Sequence, residues 1–164
     1  KFNFIKKNTN LLDIGSSPGG WAQVSRKIIT TGKVMSLDLV DMEKIENVVF
    51  YRGNFLEQKT KNKIMSFFDK NIDVIISDMA ANTTGNKTLD CIRTNQLCAD
   101  VMVFSHEILK PNGVLVSKIF MGEDFIEIKE LARSKFKKVQ FFKPESSKNE
   151  SKETYVHCAT LRTL

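Results

Sequence analysis

The sequence predicts an α/β fold: one doubly wound, mostly parallel sheet of seven strands, with helices on both faces and one reversed strand. Three observations carry this expectation. Apolar runs of strand length alternate with segments of helical period from Leu11 to Leu161. The first run empties into a small-residue loop, Gly15-Ser16-Ser17-Pro18-Gly19-Gly20, that leads straight into helix-forming sequence. The last two runs are joined by residues 143–153, a polar stretch with no helical pattern, which favours an antiparallel closing pair over another crossover.

Taken in order, Leu11–Gly15 reads as the first strand and Gly20–Ile29 as its helix. Val34–Val40 and Val48–Arg52 read as the second and third strands, followed by a short helix over Thr60–Phe68. Asp73–Asp78 is a continuous apolar run bounded by acids, the pattern of a strand buried on both faces. Leu97, Val101, Phe104 and Ile108 recur at spacings of three and four, which makes Ile92–Leu109 a long amphipathic helix. Lys110-Pro111-Asn112-Gly113 reads as a stop and turn. Val114–Phe120, Phe125–Phe136, Val139–Phe142 and Thr154–Leu161 complete the alternation as strand, helix, strand and strand. There are no repeats or long linkers, and 164 residues suffice for a single domain spanning 1–164.

Composition narrows the function. No apolar run is long enough to span a bilayer and no signal-peptide pattern is present, so no membrane partner and a cytoplasmic location are expected. Cys91, Cys98 and Cys158 have no metal-ligand spacing and only His106 and His157 could join them, so no metal is expected. An odd cysteine count suits a reducing compartment. The net charge of +6 is uneven: residues 129–152 carry +5, Lys1, Lys6 and Lys7 precede Asp13, and 13–128 carry −2. A solvated lysine-rich surface explains this as readily as a phosphate-binding face does.

The chemistry-bearing positions sit where strands end. A dinucleotide turn wants a glycine two residues after Gly15, where Ser17 stands. A phosphate loop wants lysine after its last glycine, where Trp21 stands. Asp38 closes the second strand, where an acid can accept both hydroxyls of a ribose. Asn54 follows the third strand, in Gly53-Asn54-Phe55. Asp78 closes the fourth, in Ser77-Asp78-Met79-Ala80. Lys118 lies in the apolar Val114–Phe120 strand, where a lysine needs a partner or an exit; Asp78 on the neighbouring strand is the expected partner. Lys143-Pro144-Glu145-Ser146-Ser147-Lys148-Asn149-Glu150-Ser151-Lys152-Glu153-Thr154-Tyr155 is a polar, basic loop suited to gripping phosphate oxygens.

The loop Gly15–Trp21 resembles the first motif of S-adenosylmethionine-dependent methyltransferases, in the form found in the FtsJ/RrmJ-like (RlmE-type) RNA 2′-O-methyltransferases. Asp78-Met79-Ala80 with Asn82 and Gly85, Lys118 with Gly122, and the Lys143–Tyr155 stretch are similar to that family's later motifs, in the family's order. The resemblance runs from about Leu11 to Thr160. It implies the Rossmann-like methyltransferase fold, S-adenosyl-L-methionine as cofactor, and Gly15, Pro18, Gly19, Gly20, Trp21, Asp38, Asn54 and Asp78 as the residues that bind it. It implies Lys118 as the base, acting as a neutral amine, held by Asp78, with Glu153 orienting the cluster or the ribose. The substrate it implies is a uridine ribose of 23S-type rRNA in the large ribosomal subunit, methylated by a monomer.

This chain departs from the pattern in three places. Asn54 stands where the family usually has Asp, Ala81 where it commonly has Pro, and Lys148 where it has Arg. A further family lysine belongs to a helix upstream of the first strand; Lys1, Lys6 and Lys7 do not match it, and that segment is expected to lie outside this sequence. Other readings stay open: a family member acting on tRNA or organellar rRNA, a non-catalytic RNA- or ribosome-binding module, and a nicotinamide oxidoreductase. The last lacks its second glycine and an obvious hydride-transfer partner.

Overall fold

A computed structural model describes residues 3–145 and 151–163. The strands are β1 (Leu11–Ile14), β2 (Val34–Asp38), β3 (Val49–Arg52), β4 (Ile72–Ser77), β5 (Leu109–Phe120), β6 (Phe136–Phe142) and β7 (Glu153–Leu161). The helices are α1 (Gly20–Ile28), α2 (Gln58–Phe68), α3 (Lys87–Ile108) and α4 (Phe125–Lys135). The strands form one sheet in the order β3-β2-β1-β4-β5-β7-β6. The first five are parallel, and β7 runs antiparallel to both β5 and β6. The reversed strand is therefore slotted between its neighbours rather than added at the edge.

The sheet divides the core in two because successive strand residues face opposite sides. One apolar cluster gathers Leu12, Ile14, Met35, Leu37, Ile75 and Leu115 with residues of α2, α3 and α4. The other gathers Leu11, Val34, Val74, Ile76, Val116 and Tyr155, with Trp21 of α1 packed against it. Both faces are covered, so β1 and β4 are apolar on both faces apart from Asp13 in β1 and Asp73 and Ser77 in β4.

The chain winds from β1 outward to β3, then crosses back to place β4 on β1's other side. The loops leaving β1 and β4 diverge there, which opens a crevice at their carboxyl ends. The register Ile14↔Ser77 and Ser77↔Ser117 sets the ends of β1 and β4 level with Ser117, one residue before Lys118 in β5. Asn95, fully buried on α3, fixes the end of β5. Its amide donates to the Phe120 carbonyl (3.0 Å) and the Asp124 carboxylate (2.7 Å), and its oxygen accepts from the Phe120 N–H (2.8 Å).

Several boundaries differ from the sequence reading; β6 starts at Phe136 rather than Val139, directly after α4, and α2 starts at Gln58 rather than Thr60. β2 stops at Asp38, because the Asp38 side chain turns the chain by accepting the Val40 N–H (2.9 Å). α3 begins at Lys87 rather than Ile92, because Asn86 caps it by accepting from the Thr88 and Leu89 N–H groups. Lys110–Gly113 is no free turn but an irregularity inside β5. Ile72 pairs with Leu109 and Val74 with Val114, so the intervening residues of β5 bow outward.

Candidate active site

The loop leaving β1 is shaped by its glycines at two positions. Gly15 has φ +74°, and a side-chain carbon there would stand 2.2 Å from Met79 Cγ. Its N–H donates to the Leu37 carbonyl (2.8 Å), which binds the loop to β2. Gly20 opens α1 with nothing within contact of where a side chain would be, so that position faces open space. A small cavity of about 130 Å³ results, walled by Gly15, Pro18, Gly20, Trp21, Asp13 and Asp78. Gly19 caps α1 at φ +108° and lies under Met42 and Ile45 of the β2–β3 loop instead of facing this cavity.

Carboxylates dominate the electrostatics. Asp13 is almost wholly buried in β1, and neither of its oxygens has a hydrogen-bond partner among the described residues. Burial, then the nearby charges of Asp78 and Asp38, push its carboxyl up to about 7, against a weaker pull from the Ala22 amide. Asp38 accepts the Ser17 N–H (2.9 Å) on one oxygen and the Val40 N–H on the other. Asn54 sits beside it, because Gly53 N–H donates to the Asp38 carbonyl (2.9 Å), and its side-chain oxygen accepts the Leu56 N–H. Asp38 and Asn54 are thus close to each other but do not wall the small cavity.

Lys118 and Asp78 meet as expected. The Lys118 side chain is 11% exposed; its ammonium lies 3.0 Å from Asp78 Oδ1 and donates to the Asp78 carbonyl (3.0 Å). Asp78 Oδ1 also faces the Tyr155 hydroxyl at 2.8 Å, and that hydroxyl lies 3.1 Å from Glu153 Oε1. Glu153 therefore reaches the cluster through Tyr155. One phenolic proton serves two carboxylates. Burial and these acids hold Tyr155 in its protonated form well above the ordinary range. The Tyr155 ring is flanked by Trp21 (5.5 Å) and Phe142 (5.9 Å).

Asp13 and Tyr155 are the functional positions that motif reading left out of the candidate set. The signal for Asp13 was an acid inside the buried run Leu11–Ile14; for Tyr155 it was period two from Glu153, which puts both on one face of β7. The basic stretch splits. Lys143 and Lys152 stand at the carboxyl edge with the cluster, while Lys137 and Lys138 are exposed near the other end of β6. Lys6 and Lys7 precede β1 at that other end. Lys1 and residues 146–150, including Lys148, lie outside the described residues.

Together, the crevice gathers Asp13, Asp38 and Asp78, while no basic side chain walls its cavity. That arrangement repels polyphosphates and suits a nucleoside bearing positive charge. Among the described residues, no three His, Cys, Asp or Glu side chains gather as a metal site. No helix among them is long and apolar enough to cross a membrane.

The model of the FtsJ-like methyltransferase family matches residues 1–161. The ribosomal RNA large subunit methyltransferase E of Pelagibacter ubique is 43% identical over 162 residues, covering 99% of this chain and 80% of the relative. Its counterpart in Rickettsia akari is 40% identical over 95% of this chain and 71% of the relative. Among solved structures, a Plasmodium falciparum protein described as a ribosomal RNA methyltransferase superposes with a TM-score of 0.85 at 29% identity, covering 96% of this chain and 89% of that one. The fibrillarin pre-rRNA processing protein of Methanococcus jannaschii shares the fold, with a TM-score of 0.69 at 18% identity over 98% of this chain and 70% of that one.

Proposed function

Since this chain belongs to the FtsJ-like methyltransferase family, we propose that it methylates a ribose 2′-OH of large-subunit rRNA, with a uridine as the target nucleotide. The observation that carries the reading is the contact between Lys118 and Asp78 at the mouth of the crevice that also holds the buried Asp13. S-adenosylmethionine supplies an electrophilic methyl carbon on a positively charged sulfur. Gly15, Pro18, Gly20, Trp21 and Asp78 wall the space for it, and Gly19 shapes the loop. Asp38 keeps acceptor capacity for a ribose, and Asn54 beside it is placed to accept from an adenine amino group.

Lys118 is the base. It removes the proton of the attacking hydroxyl once it has itself lost one, and Asp78 fixes its position through two contacts on one residue. Glu153 holds the Tyr155 hydroxyl, which in turn braces Asp78. Tyr155 never becomes the base, since its proton is retained between two acids. The acting unit in this reading is a monomer in the cytoplasm, in keeping with three buried free thiols.

The test is transfer of labelled methyl from S-adenosylmethionine to large ribosomal subunits and to naked rRNA, with mapping of the modified ribose. One methylated 2′-OH on either substrate supports the reading. Cofactor binding without transfer to either would move the substrate to tRNA or leave only a binding role. Lys118→Ala should lower turnover by roughly 10²–10⁴-fold while cofactor affinity stays within about two-fold; substantial residual methylation would remove Lys118 from the base role.

A further inference from the structure

We propose that a second cavity beside Glu153 is a base-binding subsite, taking a nucleobase of the RNA strand next to the nucleotide that is methylated. The inference rests on the RNA 2′-O-methyltransferase reading above and adds a place where the strand is held. The cavity, of about 440 Å³, lies between the end of β5, the start of α4 and the facing ends of β6 and β7. Its walls are Phe125, Phe141, Phe142 and Met121. Phe125 and Phe141 meet edge to face at 4.8 Å, which makes that wall rigid. Met121 is 47% exposed although it directly follows β5, and its N–H is tied to the Lys152 carbonyl (2.9 Å). An exposed thioether lining the same cavity as an aromatic wall is a contact surface for a flat apolar ligand.

Two features select a nucleobase as that ligand. Lys143 and Lys152 stand at the cavity, so an apolar floor carries a cationic rim. Single-stranded RNA presents that complement, with a stacking face on each base and a phosphate beside it. The cavity is also continuous with the reacting cluster. Glu153 lines it while contacting Tyr155, and Phe142 lines it while stacked on the Tyr155 ring. A strand whose ribose lies at Lys118 passes Glu153 to reach it, so the occupant is a neighbouring nucleotide of the same strand.

The test compares binding of a fluorescein-labelled single-stranded oligouridylate with the same strand carrying abasic sites, to the full chain, by anisotropy. The intact strand should bind roughly ten-fold tighter. Met121→Ala should remove most of that difference and leave the abasic affinity unchanged, while Ile126→Ala, exposed on α4 outside the cavity, should remove none. Equal losses on both strands, or no loss with Met121→Ala, would overturn the subsite. The comparison of the two strands on the unaltered protein stands even if a variant folds poorly, and equal binding of the two would also overturn it. Base-dependent binding without methyl transfer to rRNA would instead defeat the activity reading and leave the subsite standing. Methyl transfer by Met121→Ala with an unchanged KM would do the reverse.

Discussion

Asp13 is where the sequence and its folded environment disagree most. A carboxylate buried without a partner is costly, and here two further acids add to the cost. Its carboxyl titrates near 7 in the folded chain against an ordinary value of 3.8, so the folded state holds a proton that the unfolded state has lost. Folding stability therefore falls as pH rises from about 4 to about 7, and the penalty is constant above that. Asp13→Asn should raise the stability of the ligand-free protein at pH above 7 by a few kcal/mol and flatten its pH dependence between those limits, as read by urea unfolding. The same variant should bind S-adenosylmethionine at least ten-fold more weakly in calorimetry, because the charge that burdens the empty fold is the one a cationic ligand neutralises. Tighter binding by the variant would show that Asp13 is neutral when the ligand is bound. An acid inside an apolar run was visible in the sequence; that Asp38 and Asp78 converge on it was not, because their positions depend on strand order.

The elements themselves were largely legible. Strands buried on both faces announce themselves as apolar runs, and each expected strand is present. What failed were ends set by side chains: the Asn86 cap of α3, the Asp38 turn, and the bow in β5 that a Pro-Asn-Gly sequence disguised as a loop. Asn95 was illegible for a related reason. A polar residue on the core face of α3 breaks the helical pattern, and its purpose appears only when the end of β5 and the start of α4 are beside it. Asn95→Ala would leave the Phe120 N–H and carbonyl without that partner in a buried setting. A loss of roughly 2–4 kcal/mol in thermal or urea unfolding is expected, together with a drop in turnover larger than any change in cofactor affinity, since Lys118 is two residues from Phe120. Equal effects on both would mean that Asn95 supports the whole crevice rather than the β5 end.

Across the whole molecule, charge is sorted by position. The crevice is acidic, Lys143 and Lys152 stand near it, and Lys137 and Lys138 lie toward the opposite edge on the outermost strand. Lysines on an exposed edge strand also discourage pairing with another sheet. Affinity for single-stranded RNA should fall with salt with a logarithmic slope of about −0.7 per phosphate contacted. Removing the charges of Lys137 and Lys138 should leave that slope unchanged, whereas Lys152→Ala should lower its magnitude by about 0.7. A slope that tracks Lys137 and Lys138 would place the strand on the far edge and contradict the carboxyl-edge path.

The chain has a single tryptophan, and that residue is Trp21, which walls the cofactor cavity on one side and stacks near Tyr155 on the other. Its emission is therefore the entire indole signal of the molecule and originates beside the reacting cluster. An intrinsic optical reporter stands where ligand arrival, proton movement and ring displacement would each register, and occupancy can be followed in real time with no dye attached.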